Sequence, residues 1–175
     1  ECFDKCSRLL GLGYPGGPAI AVSAAQFSIL HYPLSIHLPR PMMYEDNFDF
    51  SFSGLKTAVL NEVKKQKIID VPSFAYEIQE AITDVLVAKT KKAAEKYKVK
   101  SILLAGGVTA NPRLREKMQF AISHQLSAIK MFVPKPSLCT DNATFVAACA
   151  DFNYHPMPWQ KIQADSSLEI EEMIK

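Results

Sequence analysis

Three short stretches of the chain have residue types whose spacing can do chemistry. In Leu103-Leu104-Ala105-Gly106-Gly107-Val108-Thr109-Ala110-Asn111, an apolar run stops at two glycines and a helix start follows within a few residues. Backbone amides freed by glycine beside a helix start favour an anion or a nucleotide. The same pattern also suits a tight strand-to-helix turn with Asn111 as a cap, and neither GxGxxG nor GK[ST] is present. In Cys139-Thr140-Asp141-Asn142, Thr140 or Asp141 reads either as a helix cap or as a carboxylate completing a metal site. In Phe3-Asp4-Lys5 with Tyr14-Pro15-Gly16-Gly17-Pro18, an acid near a glycine turn can hold ribose hydroxyls or simply be solvated.

The elements that must position these residues follow from periodicity. Helices are expected over Phe3–Leu10 and Ala19–Leu30, the first ended by Gly11 and Gly13. Residues 31–47, broken by Pro33, Pro39 and Pro41, read as a surface excursion. Phe48-Asp49-Phe50-Ser51-Phe52 alternates like a half-buried strand, and Ser53 is placed to cap a helix carrying Leu55, Val59 and Val63. Pro72 opens a longer helix with the stripe Phe74, Ile78, Ala81, Ile82 and Val85. Its last turns carry Lys89, Lys91, Lys92 and Lys96, which suits the negative end of the helix dipole. Ser101–Ala105 reads as a fully buried central strand, with Leu103 and Leu104 inside. Asn111-Pro112 starts a helix whose apolar face is Leu114, Met118, Ala121 and Ile122. A strand at Ile129–Val133 and a helix from Thr140-Asp141 to about Phe152 complete an α/β layer, a mixed sheet with packed helices.

Composition narrows the classes. The chain has 175 residues, 48% apolar and 22% charged, with a net charge of +2, so any basic surface for a nucleic acid must be local. No apolar run reaches membrane-span length and no leader opens the chain, so a cytoplasmic protein is expected. Cys2, Cys6, Cys139 and Cys149 form no CxxC framework and are expected as buried reduced thiols; two thiols on one face, Cys2 and Cys6, make a poor zinc site. His31, His37, His124 and His155 are never three or four apart, and there is no HExxH, which sets a metalloprotease aside.

Taken in order, Phe3-Asp4-Lys5, Leu10–Pro18, Pro39-Arg40-Pro41-Met42, Asp49–Thr57, Ala105–Val108 with Ala110-Asn111 and Leu114-Arg115, and Cys139–Asn142 resemble successive signatures of the TsaD family. These are tRNA N6-adenosine threonylcarbamoyltransferases, formerly grouped as glycoproteases. The resemblance spans about residues 1–150 and favours the bacterial and organellar branch. It implies one lobe of an actin-like ATPase fold (ribonuclease-H-like), over residues 1–152, followed by a divergent tail at 153–175. The amino-terminal lobe is not covered.

The resemblance also implies roles. Asp4 would bind the ribose of threonylcarbamoyl-AMP, Gly17 would let the backbone approach the nucleoside, and Asn111 would contact the adenylate with Gly106 and Gly107 on its phosphate side. Asp141 would be one ligand of a divalent metal, iron first, zinc or magnesium otherwise. The family's histidine pair for that metal lies in the other lobe, so this chain alone is expected to be inactive. The family usually has an acid at the position of Ala21, and Cys2 and Cys6 are also departures from its pattern. Implied partners are tRNA, a TsaB-like paralogue, a TsaE-like small ATPase and the other lobe. Arg40, Lys56, Arg113, Arg115 and the lysines of 89–100 are candidates for tRNA phosphates. Two other readings are a nucleotide-binding lobe of another actin-like ATPase, such as a sugar kinase, and a nucleotide-binding or assembly module without chemistry of its own.

Overall fold

A computed structural model describes residues 1–30, 36–126, 128–163 and 167. The chain divides into two compact units, Glu1–Asp141 and Asn142–Lys175. The first is α/β, with most of its mass in helices: α1 (Cys2–Leu9), α2 (Gly16–Leu30), α3 (Ser53–Lys65), α4 (Val71–Tyr97) and α5 (Pro112–Gln125). Strands β1 (Ser101–Leu103) and β2 (Lys130–Phe132) pair in parallel, Ile102 opposite Met131, with α5 as the crossover that a parallel pair requires.

Helix α4 is the spine of this unit. Asp70 caps it by accepting the Ser73 N–H at 3.4 Å, and Pro72 sits in its first turn, where a missing N–H costs nothing. The expected stripe is buried as read, with Phe74, Ile78, Ala81 and Val85 fully enclosed and Ile82 nearly so. The amino-terminal half of α4 packs in one core with Phe3 and Cys6 of α1, Ile20 and Ala24 of α2, and Leu55 and Val59 of α3. Ala94, near its other end, joins Ile102, Leu114, Met118 and Ile122 in a second core. Burying each such aliphatic side chain contributes about 1.5–3 kcal/mol, so α4 is held by both cores at once.

Three expectations need correction. Residues 48–52 form no strand: no described segment ladders with them, and the rings pack locally, Phe48 with its centroid 5.6 Å from Tyr97, Phe50 stacked on Phe52 at 6.3 Å, and Phe52 against the first core. In β1 only Ile102 is buried; Leu103 is 73% exposed and Leu104 partly so, because α5 and α4 cover one face of a sheet that has two strands among the described residues. A continuous apolar run suits a strand covered on both faces, and here one face is left open. Lys89, among the lysines of 89–100 offered for tRNA phosphates, is buried, and donates to the Asn47 carbonyl at 3.0 Å and its Oδ1 at 2.7 Å, fastening the 41–49 segment onto α4.

The second unit contains α6 (Ala143–Phe152) and a short 3-10 turn at Trp159–Lys161. Asn142 is the cap of α6, its Oδ1 accepting the Phe145 N–H at 3.2 Å, so the helix starts after Thr140-Asp141. An asparagine side chain at the last extended residue reaches the N3 amide, whereas the two residues before it sit too early. His31, Pro33 and the acidic run Glu169–Glu172 lie outside the described residues.

Candidate nucleotide groove

Helix α2 approaches α1 through glycine. An added Cβ on Gly16 would stand 2.5 Å from the Asp4 Cα and 2.6 Å from the Phe3 carbonyl oxygen. The closeness lets Asp4 Oδ1 accept the Gly16 N–H at 2.8 Å, at the positive end of α2. That hydrogen bond, partly opposed by desolvation, holds the Asp4 carboxyl below its ordinary range. Asp4 thus caps α2, a role its spacing to a glycine turn did not reveal. Gly17 has no atom within 4 Å of an added Cβ, so its backbone is open to an approaching group. It is also helical immediately before Pro18, where a side chain is disfavoured sterically.

Gly16→Ala is expected to cost about 2–3 kcal/mol, since two backbones must separate to admit a methyl. Its urea midpoint should fall at unchanged slope. A loss under about 0.5 kcal/mol would show that α1 and α2 are not locked together here.

Around the double glycine, Gly106 takes φ +85°, a conformation that favours glycine, and turns the chain out of β1 into a 3-10 turn at Gly107–Ala110. Thr109 ties the turn, its hydroxyl donating to the Gly106 carbonyl at 2.7 Å and lying 3.3 Å from the Cys139 sulfur. Arg115 completes the staple: its guanidinium donates to the Thr109 carbonyl, to the Pro134 carbonyl at 2.8 Å and to Cys139 Sγ at 3.2 Å. The double-glycine loop and Cys139, far apart in sequence, are therefore one construction. Gly106 and Gly107 present open space to an incoming ligand.

Asn111 is buried and spent twice. Its Oδ1 accepts the Leu114 N–H at 3.1 Å as the cap of α5, and its Nδ2 donates to Gln79 Oε1 at 2.9 Å. Gln79 in turn floors a cavity of about 530 Å³ whose sides are Ala21, Ala24 and Ala25 of α2 and Pro112, Arg113 and Glu116 of α5, with Tyr76 beside Gln79. That volume falls within the range of small-molecule sites. Ala21 is one turn from Gly17 on the same face of α2, but Gly17, Gly106 and Gly107 do not line the cavity. Asp4 does not line the groove; it holds the end of the helix that does.

The groove wall is fixed by charge. Arg113 binds Glu80 in a fork, Nε to Oε1 at 2.7 Å and Nη2 to Oε2 at 3.0 Å, and Lys117 reaches Glu80 Oε2 at 2.8 Å. Burial pushes the Glu80 carboxyl up, but hydrogen bonds from Arg113 and Lys117 outweigh it and hold it below the ordinary glutamate range. Arg40 is committed to Glu77 and Asp84, and Lys56 to Glu1 at 3.0 Å. Four of the candidate phosphate contacts, Arg40, Lys56, Arg113 and Arg115, thus have internal partners. Gln79 and Glu80 escaped sequence reading, because polar residues beside an apolar stripe resemble a solvated face; only their position on the groove side of α4 sets them apart.

Asp141 is exposed. Among the described residues no three histidines, cysteines, aspartates or glutamates are grouped to hold a metal, so the residues present do not by themselves make a metal centre. No described helix is long and apolar enough to cross a membrane. Of the four thiols, all free, Cys6 and Cys139 are buried as expected, Cys2 is half-buried and Cys149 is exposed.

Comparison with known proteins places this architecture. The family model described as TsaD, tRNA N6-adenosine threonylcarbamoyltransferase, matches residues 1–148. A protein of that name from Syntrophomonas wolfei is 45% identical over 157 residues, 88% of this chain and 44% of the relative. Another from Thermotoga neapolitana is 48% identical over 147 residues, covering 84% of this chain and 43% of the relative. One from Geobacillus thermodenitrificans is 43% identical over 172 residues, 96% of this chain and 47% of the relative. The chain therefore spans about half the length of the curated relatives it matches. With an α/β unit, a cradle between α2 and α5, and a match over most of its length, the chain belongs to the TsaD family of actin-like fold, the tRNA N6-adenosine threonylcarbamoyltransferases.

Proposed function

We propose that this chain supplies the adenylate-holding part of an enzyme that transfers a threonylcarbamoyl group from threonylcarbamoyl-AMP to N6 of the adenosine 3′ of the anticodon, in tRNAs reading codons that begin with A. The observation that carries this reading is the groove between α2 and the start of α5, floored by Gln79, with the open backbone of Gly17 one turn from Ala21 on the same helix. An adenosine lies along α2, with Gly106 and Gly107 toward its phosphate. Asp4 and Asn111 serve mainly by fixing the two helix starts that frame the ligand. The chain's contribution to rate is then positional: it holds the donor in one orientation for attack by the tRNA amine.

Asp141 contributes one carboxylate to a divalent metal, iron by preference, whose other ligands come from the part of the relatives that this chain does not match. The tRNA, the TsaB-like paralogue and the TsaE-like ATPase act on the assembled enzyme in the cytoplasm. The alternative, an assembly module that binds nucleotide without chemistry, shares the groove and differs in the outcome of one assay.

That assay joins this chain to the portion of the Syntrophomonas wolfei relative outside the matched stretch. With threonylcarbamoyl-AMP, Fe²⁺ and unmodified tRNA, the chimera modifies the adenosine and the 175-residue chain alone does not. A folded chimera that binds AMP and leaves the tRNA unchanged would favour the assembly module. Modification by the chain alone would refute the incomplete-site account.

A further inference from the structure

Gln79 stands at the deep end of the groove between α2 and α5. Of the side chains lining that cavity of about 530 Å³, Gln79 and Ala24 are the buried ones, 6% and 1% exposed. Methyl groups of α2 and the Pro112 ring form its sides, an apolar slot suited to a flat ring.

A backbone hydrogen bond fixes which way the Gln79 amide faces. The Leu114 N–H can only donate, so the Asn111 atom 3.1 Å from it is the oxygen. Asn111 therefore turns its Nδ2 to Gln79, and the Gln79 atom 2.9 Å away must be Oε1, the acceptor. That leaves Nε2, a donor with no acceptor among the described residues. Among those residues the one enclosed side-chain nitrogen or oxygen without a partner is Ser73 Oγ, so Nε2 is not sealed in protein. The open space that Gln79 lines is this cavity, and Nε2 is the polar atom it offers there.

We propose that Gln79 is the specificity-determining residue of the groove, its Nε2 donating to N1 of an adenine base, with Asn111 as the positioning residue that aims it. This rests on the nucleotide reading of the groove. Gly17, Gly106 and Gly107 do not line the cavity, so sugar and phosphate stay at its mouth and the base enters alone. The edge farthest from the sugar arrives first, and on a purine that edge carries N1. Adenine N1 is an unprotonated acceptor. In hypoxanthine and guanine N1 carries a hydrogen, which meets the Gln79 N–H donor to donor. A site with a fixed, buried donor rejects such a ligand because both groups are left unpaired.

The test is a ligand-observed NMR titration of the whole chain with AMP, IMP, 1-deaza-AMP and 7-deaza-AMP, beside Asn111→Asp and Ala21→Phe. AMP and 7-deaza-AMP should bind alike, with IMP and 1-deaza-AMP at least about tenfold weaker, the cost of an unpaired donor. Asn111→Asp still caps α5 but has no hydrogen to give, so Gln79 must turn its Nε2 to the new carboxylate and its Oε1 to the cavity. The preference then inverts, with IMP bound more tightly than AMP, which a merely structural role of Asn111 would not produce. If that variant fails to fold, the deaza pair decides alone. A folded Asn111→Asp that keeps the preference for AMP overturns the proposal. So does AMP bound no better than IMP or 1-deaza-AMP; if Ala21→Phe still abolishes that binding, the groove remains the nucleotide site without a role for Gln79. Binding that survives Ala21→Phe, or no nucleotide binding at all, removes the groove reading and this inference with it.

Discussion

Replacing Glu77 with alanine lowers the stability of the chain by about 3–5 kcal/mol, the range for removing one partner of a buried ion pair. Glu77 is 2% exposed. Its Oε1 accepts the Leu38 N–H at 2.9 Å and a short bond from Arg40 Nη1, while Arg40 Nη2 lies 3.4 Å from Oε2. Arg40 also donates to the Leu38 carbonyl at 2.7 Å and to Asp84 at 3.0 and 3.1 Å. Without Glu77, a buried backbone N–H loses its acceptor and the guanidinium loses one of two carboxylates. Burial opposes the Arg40 charge, and the bonds to Glu77 and Asp84 override it. Urea denaturation should show the midpoint falling at constant slope, with Glu77→Gln between the two because it can still accept from Leu38. A loss below about 1 kcal/mol for Glu77→Ala would mean that Asp84 alone holds Arg40 and that water satisfies Leu38.

Arg40 illustrates where sequence reading ends. A proline-flanked arginine looks like a surface cation, and its commitment to two acids on α4 depends on how residues 38–40 cross that helix. By contrast α4 and α5 were legible because local signals agreed: Pro72 for one, Asn111 with Pro112 for the other, each followed by an apolar stripe of helical period. Local signals failed where a neighbour decides the outcome. The alternation at 48–52 specifies a strand only if another strand pairs with it. The run at Ile102-Leu103-Leu104 carries no mark of which sheet face is covered. In the site, the glycine positions and the Asn111 cap were readable from residue type. The Arg115–Cys139 staple and the Gln79 floor join segments that nothing in the linear pattern connects.

The groove is where the functional account is most exposed to test. Ala21 lines it from the middle of a helix that Ile20 and Ala24 already anchor, so a larger side chain there reaches into the groove and leaves the core alone. Resemblance to the family puts an acid at this position, and a carboxylate beside a ribose adds a charge-assisted hydrogen bond worth about 1.5–3 kcal/mol. A half-enclosed cleft leaves the ligand's charges solvated, so AMP should bind the natural chain weakly, in the millimolar range of about −4 kcal/mol. The deciding measurement is calorimetric titration of AMP into this chain, Ala21→Asp and Ala21→Phe, with thermal melting to show that all three are folded. Ala21→Asp should tighten binding about tenfold, a gain of roughly 1.4 kcal/mol, and Ala21→Phe should abolish it by filling the space. Equal affinity in all three folded proteins would place the nucleotide elsewhere and contradict the account.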